Sequence, residues 1–180
     1  MKEFWNDRYA AKEFAYGKEP NVFFRLELDK LDKGKILLPA DGEGRNSVYA
    51  ALNGWTSYAC DLSSEGKRKA DKLAVQNGVE LNYIVGDFGS LAYGMQFFDV
   101  IALVYAHFPP EKKHEYHKLV DKYLKVGGTI IFEAFGKEHL NYNSENPKVG
   151  GPRDLEMLYS VEEIENDFSI RNSGFRRGRN

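Results

Sequence analysis

The sequence predicts a doubly wound α/β domain, a mostly parallel sheet flanked by helices. Three observations carry this. Short apolar runs recur at 35–40, 56–60, 81–85, 97–105 and 129–135. Helical stretches of about ten to fifteen residues separate most of them, the spacing of βαβ units. The first three runs end in acidic loops, at Asp41-Gly42, Asp61 and Asp87, on what becomes one edge of a parallel sheet. Ligands of such sheets bind beyond the carboxyl ends of the strands, near the switch in strand order.

Each element has its own signal. "KILLPA" (35–40) is a short apolar run bounded by a glycine loop. From Arg45 to Asn53, Val48, Ala51 and Leu52 recur at helical spacing, and Gly54 follows where helices stop. "TSYAC" (56–60) is the second strand. Ser63 caps a helix that runs to Gln76 and closes at Asn77-Gly78. "LNYIV" (81–85) is the third strand. "FFDVIALVY" (97–105) is the fourth, apolar enough to be covered on both faces. Pro109-Pro110 opens a helix with a stripe of Tyr116, Val120, Tyr123 and Leu124, expected to end at Gly127-Gly128. "TIIFEAF" (129–135) is the fifth strand.

Composition sets the outer bounds. The 180 residues are 42% hydrophobic and 29% charged, globular values for a single domain. A net charge of −2 offers no general attraction to nucleic acid or anionic membrane. Cys60 is the only cysteine, so no internal disulfide can form. "MKEFWNDRYAAKEF" lacks the basic-then-apolar order of a signal peptide, and no apolar run approaches the ~18 residues of a membrane span. The expectation is a cytoplasmic protein with no membrane or nucleic-acid partner.

The stretch "ILLPADGEGRNS" (36–47) decides the ligand class. Glycines let a chain turn sharply and let a ligand approach the backbone, although a tight turn without ligand needs them equally. Asp61, 17 residues after Gly44, is placed to accept hydrogen bonds from a ribose diol. Together they indicate a nucleoside-containing cofactor, a dinucleotide or S-adenosylmethionine. A pyrophosphate seated at the following helix N-terminus would lie beside Asp41 and Glu43, and like charges at that range repel. The third glycine of the dinucleotide fingerprint is also replaced, by Ser47. S-Adenosylmethionine carries a net positive charge and suits an acidic loop.

At this point the residues resemble a known family. "ILLPADGEGRN", "YACDLSSEGKRKADKLA", "VGDF" and "FDVIALVYAHFPPEKKHEYHKLVDKYLKVGGTIIFEAF" are similar to the class I S-adenosylmethionine-dependent methyltransferases of Rossmann-like fold. Within that class the chain resembles the small tellurite-resistance-type and thiopurine-type enzymes, over about Phe4 to Phe168. The N-terminal "FWNDRYA" and the later "GGPRDLEMLYS" belong to the same likeness. The resemblance implies that Ala40, Asp41, Gly42 and Gly44 approach the methionine part of the cofactor. It implies Asp61 on the ribose, Leu62 against the adenine, Asp87 at the adenine amino group and Phe88 on the ring. Val104 and Tyr105 would stand near the reacting methyl, and Trp5, Tyr9 and Tyr16, with Phe4, would form a lid. The implied organisation is one domain: a helical lid at 1–30, a cofactor-binding core at 35–135, and a substrate-side segment at 136–180.

Two departures mark the glycine motif. Leu38 stands where the family carries an acidic residue, and Ala40 replaces the first glycine. A third lies at the C-terminus, where only "SIRNSGFRRGRN" follows "VEEIENDF". That is too short and polar for the antiparallel hairpin that closes the fold, so the hairpin is expected to be missing or truncated. The fifth strand would then be an exposed edge, in a monomer or covered in a homodimer.

Methyl transfer from a sulfonium is an in-line displacement that needs positioning and desolvation rather than a metal. No metal-ligand cluster stands out in the sequence. His107, after the fourth strand, is the candidate general base for a thiol or hydroxyl, with Tyr105 and Glu133 beside it. A loop histidine packed on Pro109 is its plainer reading. Glu133 could bind a cationic or hydroxylated acceptor. His114 and His117 share a helix face and read as solvated. The acceptor is expected to be a small molecule: a thiol, a chalcogen oxyanion or a heterocycle. Two other readings stand beside the enzyme, an NAD(P)-binding oxidoreductase or sensor on the same fold, and a non-catalytic remnant that binds S-adenosylmethionine.

Overall fold

A computed structural model describes residues 1–146 and 149–168. The C-terminal stretch after Phe168, where the closing hairpin is expected to be missing, lies outside the described residues. Two short helices, α1 (Lys2–Ala10) and α2 (Val22–Leu28), precede the alternating core. The core runs β1 (Lys35–Pro39), α3 (Arg45–Leu52), β2 (Thr56–Asp61), α4 (Ser64–Gln76), β3 (Asn82–Val85), β4 (Phe98–Val104), α5 (Pro110–Tyr123) and β5 (Leu124–Glu133). Helices α6 (His139–Glu145) and α7 (Val161–Asp167) follow. No described helix is long and apolar enough to cross a membrane.

The sheet order is β3-β2-β1-β4-β5, with every pairing parallel. The chain winds outward from β1 to β3, then returns to β1's other side for β4. That reversal puts the topological switch between β1 and β4, the position at which such sheets bind ligands. The predicted α/β class is the one observed.

Continuous apolar runs arise because both faces of the sheet are covered. Ile36, Leu38, Val100 and Ala102 face Phe24, Leu28, Ala50 and Ala70, from α2, α3 and α4. Leu37, Ile101 and Leu103 face the other way, onto Tyr116, Val120 and Tyr123 of α5 and Ile164 of α7. Ser63 caps α4 as its sequence predicts, its hydroxyl accepting from Gly66 N.

Two expectations fail here. Helix α5 ends at Tyr123 rather than at Gly127-Gly128, because Leu124 already takes extended angles and pairs with Phe98. The ladder breaks there and resumes at Thr129 opposite Val100, so the glycines sit in an irregular part of the strand rather than at a helix cap. His117 is not solvated. It has no exposed surface, and its Nδ1 lies 2.7 Å from Asp167 Oδ2.

Candidate cofactor and acceptor site

The glycine loop leaves β1 through alternating left-handed residues. Ala40, Gly42 and Gly44 have φ of +55°, +60° and +84°. Ala40 therefore holds, at some strain, the conformation a glycine would take freely, which accounts for the family's residue at this position. A side chain at Gly42 would meet Tyr9 Oη at 2.6 Å, and one at Gly44 would meet Ala70 Cβ at 2.5 Å.

Asp41 follows the strand end. Its Oδ2 accepts from the Ser47 hydroxyl at 2.5 Å, so the serine standing at the fingerprint's third glycine orients the loop's carboxylate. Its Oδ1 is buried without a hydrogen-bond partner. Burial, reinforced by Asp61 and opposed by Ser47 and Arg45, pushes the Asp41 carboxyl up to about 7.

Asp61 ends β2 and binds the loop from below. Its Oδ2 accepts from Gly42 N at 3.0 Å, and its Oδ1 from Ser63 N at 2.8 Å. Burial raises its carboxyl, and these backbone N–H groups hold it down in part. Tyr83 Oη donates to Gly42 O at 2.6 Å, fixing the loop from β3.

Glu43, the loop's second carboxylate, does not face the ligand edge. Its Oε1 pairs with Lys69 Nζ at 2.7 Å, and its Oε2 accepts from Ala15 N at 2.8 Å. Of the loop's two carboxylates, only Asp41 is left to face a charged ligand. Lys69 was missed because its charge disguises its register, beside Ala70 and one turn before Leu73 on the buried face of α4.

The N-terminal segment is tied down over this edge. Asn6 Oδ1 accepts from the Ser63 hydroxyl at 2.8 Å, Arg45 donates to Tyr16 O at 2.9 Å, and Asn46 Oδ1 accepts from Asn21 N at 2.9 Å. Tyr9 lies on Gly42 and Gly66 rather than over an acceptor, with Trp5 stacked on it at 5.4 Å. Tyr16 lies between Arg8 and Arg45. Two surface clefts lie elsewhere, one beside Asp99 and Gly127, the other between α3 and α4.

Asp87 and Phe88 both engage α5. Asp87 accepts from Lys112 Nζ at 2.5 Å and from Tyr116 Oη. Burial raises its carboxyl, but these partners outweigh it and hold it below its ordinary value. Phe88 is buried against Phe108, Tyr116 and Tyr123. Its ring turns inward because the short helical turn at 88–90 packs on α5. Leu62 remains partly exposed beside Asp61, and Val104 is partly buried opposite Glu133.

On the acceptor side, His107 is unavailable as a general base. Its Nδ1 lies 2.9 Å from Met157 O, and its Nε2 accepts from Phe135 N at 3.3 Å. Burial lowers it to about 4. It is a packed loop histidine, stacked on Phe135. Tyr105 and Glu133 do come together: Tyr105 Oη donates to Glu133 Oε1 at 3.3 Å, and Tyr105 N to Glu133 O at 2.6 Å.

These residues fit S-adenosylmethionine on their own chemistry. A buried carboxyl oxygen without a donor stands beside a left-handed loop, and the loop carries no cation for an anionic ligand except Arg45. Against known families, the methyltransferase domain profile matches residues 36–128, more than half the chain. The chain belongs to this methyltransferase family. S-Adenosylmethionine is accordingly the expected cofactor of this methyltransferase domain.

No curated protein matches the chain in sequence. Among solved structures, a protein of Pyrococcus horikoshii OT3 shares 22% identity, with 82% of this chain and 78% of that one covered and a TM-score of 0.68. A structure described for the conversion of a disulfide bond into a thioacetal group during echinomycin biosynthesis shares 18% identity, covering 93% and 77%, with a TM-score of 0.71. An S-adenosylmethionine-dependent methyltransferase from Clostridium acetobutylicum shares 23%, covering 66% and 50%, with a TM-score of 0.56. At these identities the likeness concerns the fold.

Proposed function

We propose that the protein transfers a methyl group from S-adenosylmethionine to a small-molecule acceptor held at the ends of β4 and β5. The observation that carries the reading is the joint placement of Asp41 and Asp61 around Gly42, with one Asp41 oxygen buried and unpartnered. Asp41 would face the cofactor's positive charge and Asp61 its ribose hydroxyls. Ala40, Gly42 and Gly44 would offer it their backbone once the Tyr9 ring moves off Gly42, and Leu62 would border the adenine. When bound, the cofactor supplies an electrophilic methyl on a sulfonium. The chain's own part is to orient the acceptor at Val104, Tyr105 and Glu133 and to exclude water. Residues 1–30 serve as lid, 35–135 as cofactor core and 136–180 as the acceptor-side segment. The lid's role here is over the cofactor site, since Tyr9 packs on Gly42 and Trp5 stacks on Tyr9.

The small acceptor rests on the resemblance to tellurite-resistance and thiopurine enzymes, and a cytoplasmic setting goes with such substrates. A calorimetric titration with S-adenosylhomocysteine, run beside NADH and with Asp61→Ala as control, tests the reading. Micromolar binding of the first, lost in the variant, is the expected result. Binding of NADH alone would overturn it.

A further inference from the structure

Resting on the methyltransferase reading, one side chain narrows the acceptor. Glu133 Oε2 is closed off from solvent and has no hydrogen-bond partner. Its other oxygen receives only the long bond from Tyr105 Oη, at 3.3 Å. Among the described residues no cation pairs with this carboxylate. Leaving a carboxylate oxygen buried and unsatisfied is costly, and a ligand that brings a donor relieves that cost.

The surroundings say what kind of donor. Tyr105 is 39% exposed and held at φ +53°, with its ring 4.7 Å from that of Phe135. Phe135 in turn stacks on His107 at 5.5 Å and on His139 at 4.0 Å. His139 Nε2 is engaged with Gly150 O at 2.7 Å, and both imidazole rings lie against Phe135. A ligand at this end of β4 and β5 would meet the exposed Tyr105 ring, with the Glu133 carboxylate bonded to its hydroxyl. The Asp41 and Asp61 carboxyls lie along the same sheet edge. The nearby cation, Arg45, is committed to the Tyr16 carbonyl and lies over the Tyr16 ring. Thiolates and chalcogen oxyanions would approach against the Glu133 carboxylate, whereas a planar N–H compound would stack and donate.

We propose that the acceptor is a planar nitrogen heterocycle bearing an N–H, and that Glu133 selects it and takes its proton. The N–H donates to Glu133 while the ring's other nitrogen supplies the lone pair. That pair forms the new N–CH3 bond as the methyl's C–S bond breaks with its electrons remaining on sulfur. The N–H proton passes to the Glu133 carboxylate, leaving a neutral N-methyl heterocycle and a neutral thioether. Charge and protons balance without a further reactant.

The test uses benzimidazole as probe, with benzothiophene (no N–H) and thiophenol as comparators. Binding is followed by ligand-observed NMR on the intact protein, with and without S-adenosylhomocysteine. The expected result is at least tenfold tighter binding of benzimidazole than of either comparator. In Glu133→Gln, a near-isosteric change, that preference falls to under threefold. A preference for thiophenol, or a benzimidazole preference that survives Glu133→Gln, overturns the assignment. If S-adenosylhomocysteine binds while the preference is absent, only the acceptor class fails. If S-adenosylhomocysteine does not bind at all, the methyltransferase reading fails and this inference with it.

Discussion

Lys69 Nζ lies 2.7 Å from Glu43 Oε1, and the two side chains keep only 3% and 4% of their surface exposed. This buried pair bolts the glycine loop to α4. It also holds the N-terminal segment, because Lys69 donates to Glu13 O at 2.6 Å and Ala15 N donates to Glu43 Oε2 at 2.8 Å. Breaking a buried pair by removing one partner leaves an uncompensated charge. Lys69→Met should therefore destabilise the protein by about 3–5 kcal/mol, read as a lower urea midpoint at unchanged slope. Adding Glu43→Gln, which keeps an acceptor for Ala15 N, should restore most of the loss. A Lys69→Met midpoint within about 1 kcal/mol of the parent would mean that the pair behaves as a surface pair.

Acid and base arms of the stability curve are set by different residues. The Asp41 carboxyl titrates at about 7 in the folded protein against an ordinary 3.8. Between those values the folded state keeps a proton that the unfolded chain has lost, so stability falls as pH rises and levels off above about 7. Asp61, raised in the same direction by burial, adds to this slope. His107 works oppositely. Its folded value of about 4 lies below the ordinary 6.5, so the unfolded chain takes the proton first and stability falls as pH drops through that window. Each unit of difference is worth up to about 1.4 kcal/mol. The two slopes partly cancel in the parent and separate in the variants. Asp41→Asn should flatten the fall toward neutral pH, and His107→Gln the fall toward acid, both followed by thermal melts from pH 4 to 8. Unchanged slopes would place those groups in contact with water.

Phe88 and Asp61 should fail in different ways. Phe88→Ala removes a ring from the core beside Phe108, Tyr116 and Tyr123, and such truncations cost about 3–5 kcal/mol. Its S-adenosylhomocysteine affinity, measured below the melting transition, should stay within about twofold of the parent. Asp61→Ala should abolish that binding at a smaller cost in stability, since it removes an acceptor for backbone N–H groups, chiefly those of Gly42 and Ser63, rather than a core ring. A large affinity loss in Phe88→Ala would return the ring to the adenine site.

What the sequence made legible, and what it hid, follows from the range of the interactions. The five strands and the Ser63 cap rest on patterns within a few residues, and each appears near its predicted place. The acidic edge was legible because parallel strands must deliver Asp41, Asp61 and Asp87 to one side. The orientation of individual side chains was not. Glu43 turns away because of Lys69, 26 positions later, and His107 is disarmed by the Met157 carbonyl, 50 positions later. His117 is buried by Asp167, again 50 positions on. No local periodicity carries such pairings. The inward turn of Phe88 likewise depends on α5, which follows it in the chain.

Tyr9 offers the sharpest test of how the site opens. Its ring is buried on Gly42 and Gly66, with Oη 2.6 Å from the point where a Gly42 side chain would begin. That is the backbone surface a cofactor would approach. Burial pushes its phenol far above the ordinary range, with Asp61 and nearby acids adding to the shift, so it stays neutral and gives the acidic loop no counter-charge. A cofactor must therefore displace the ring, and the fraction of molecules with the ring displaced scales the observed affinity. Tyr9→Ala should lower the melting temperature through lost aromatic burial while tightening S-adenosylhomocysteine binding severalfold. The gain should appear in the association rate, because the competing side chain is gone before the ligand arrives. Stopped-flow fluorescence of Trp5, stacked on Tyr9, would follow the event directly. Weaker binding in Tyr9→Ala would instead make the ring part of the cofactor's own contact surface, closing over it rather than standing in its way.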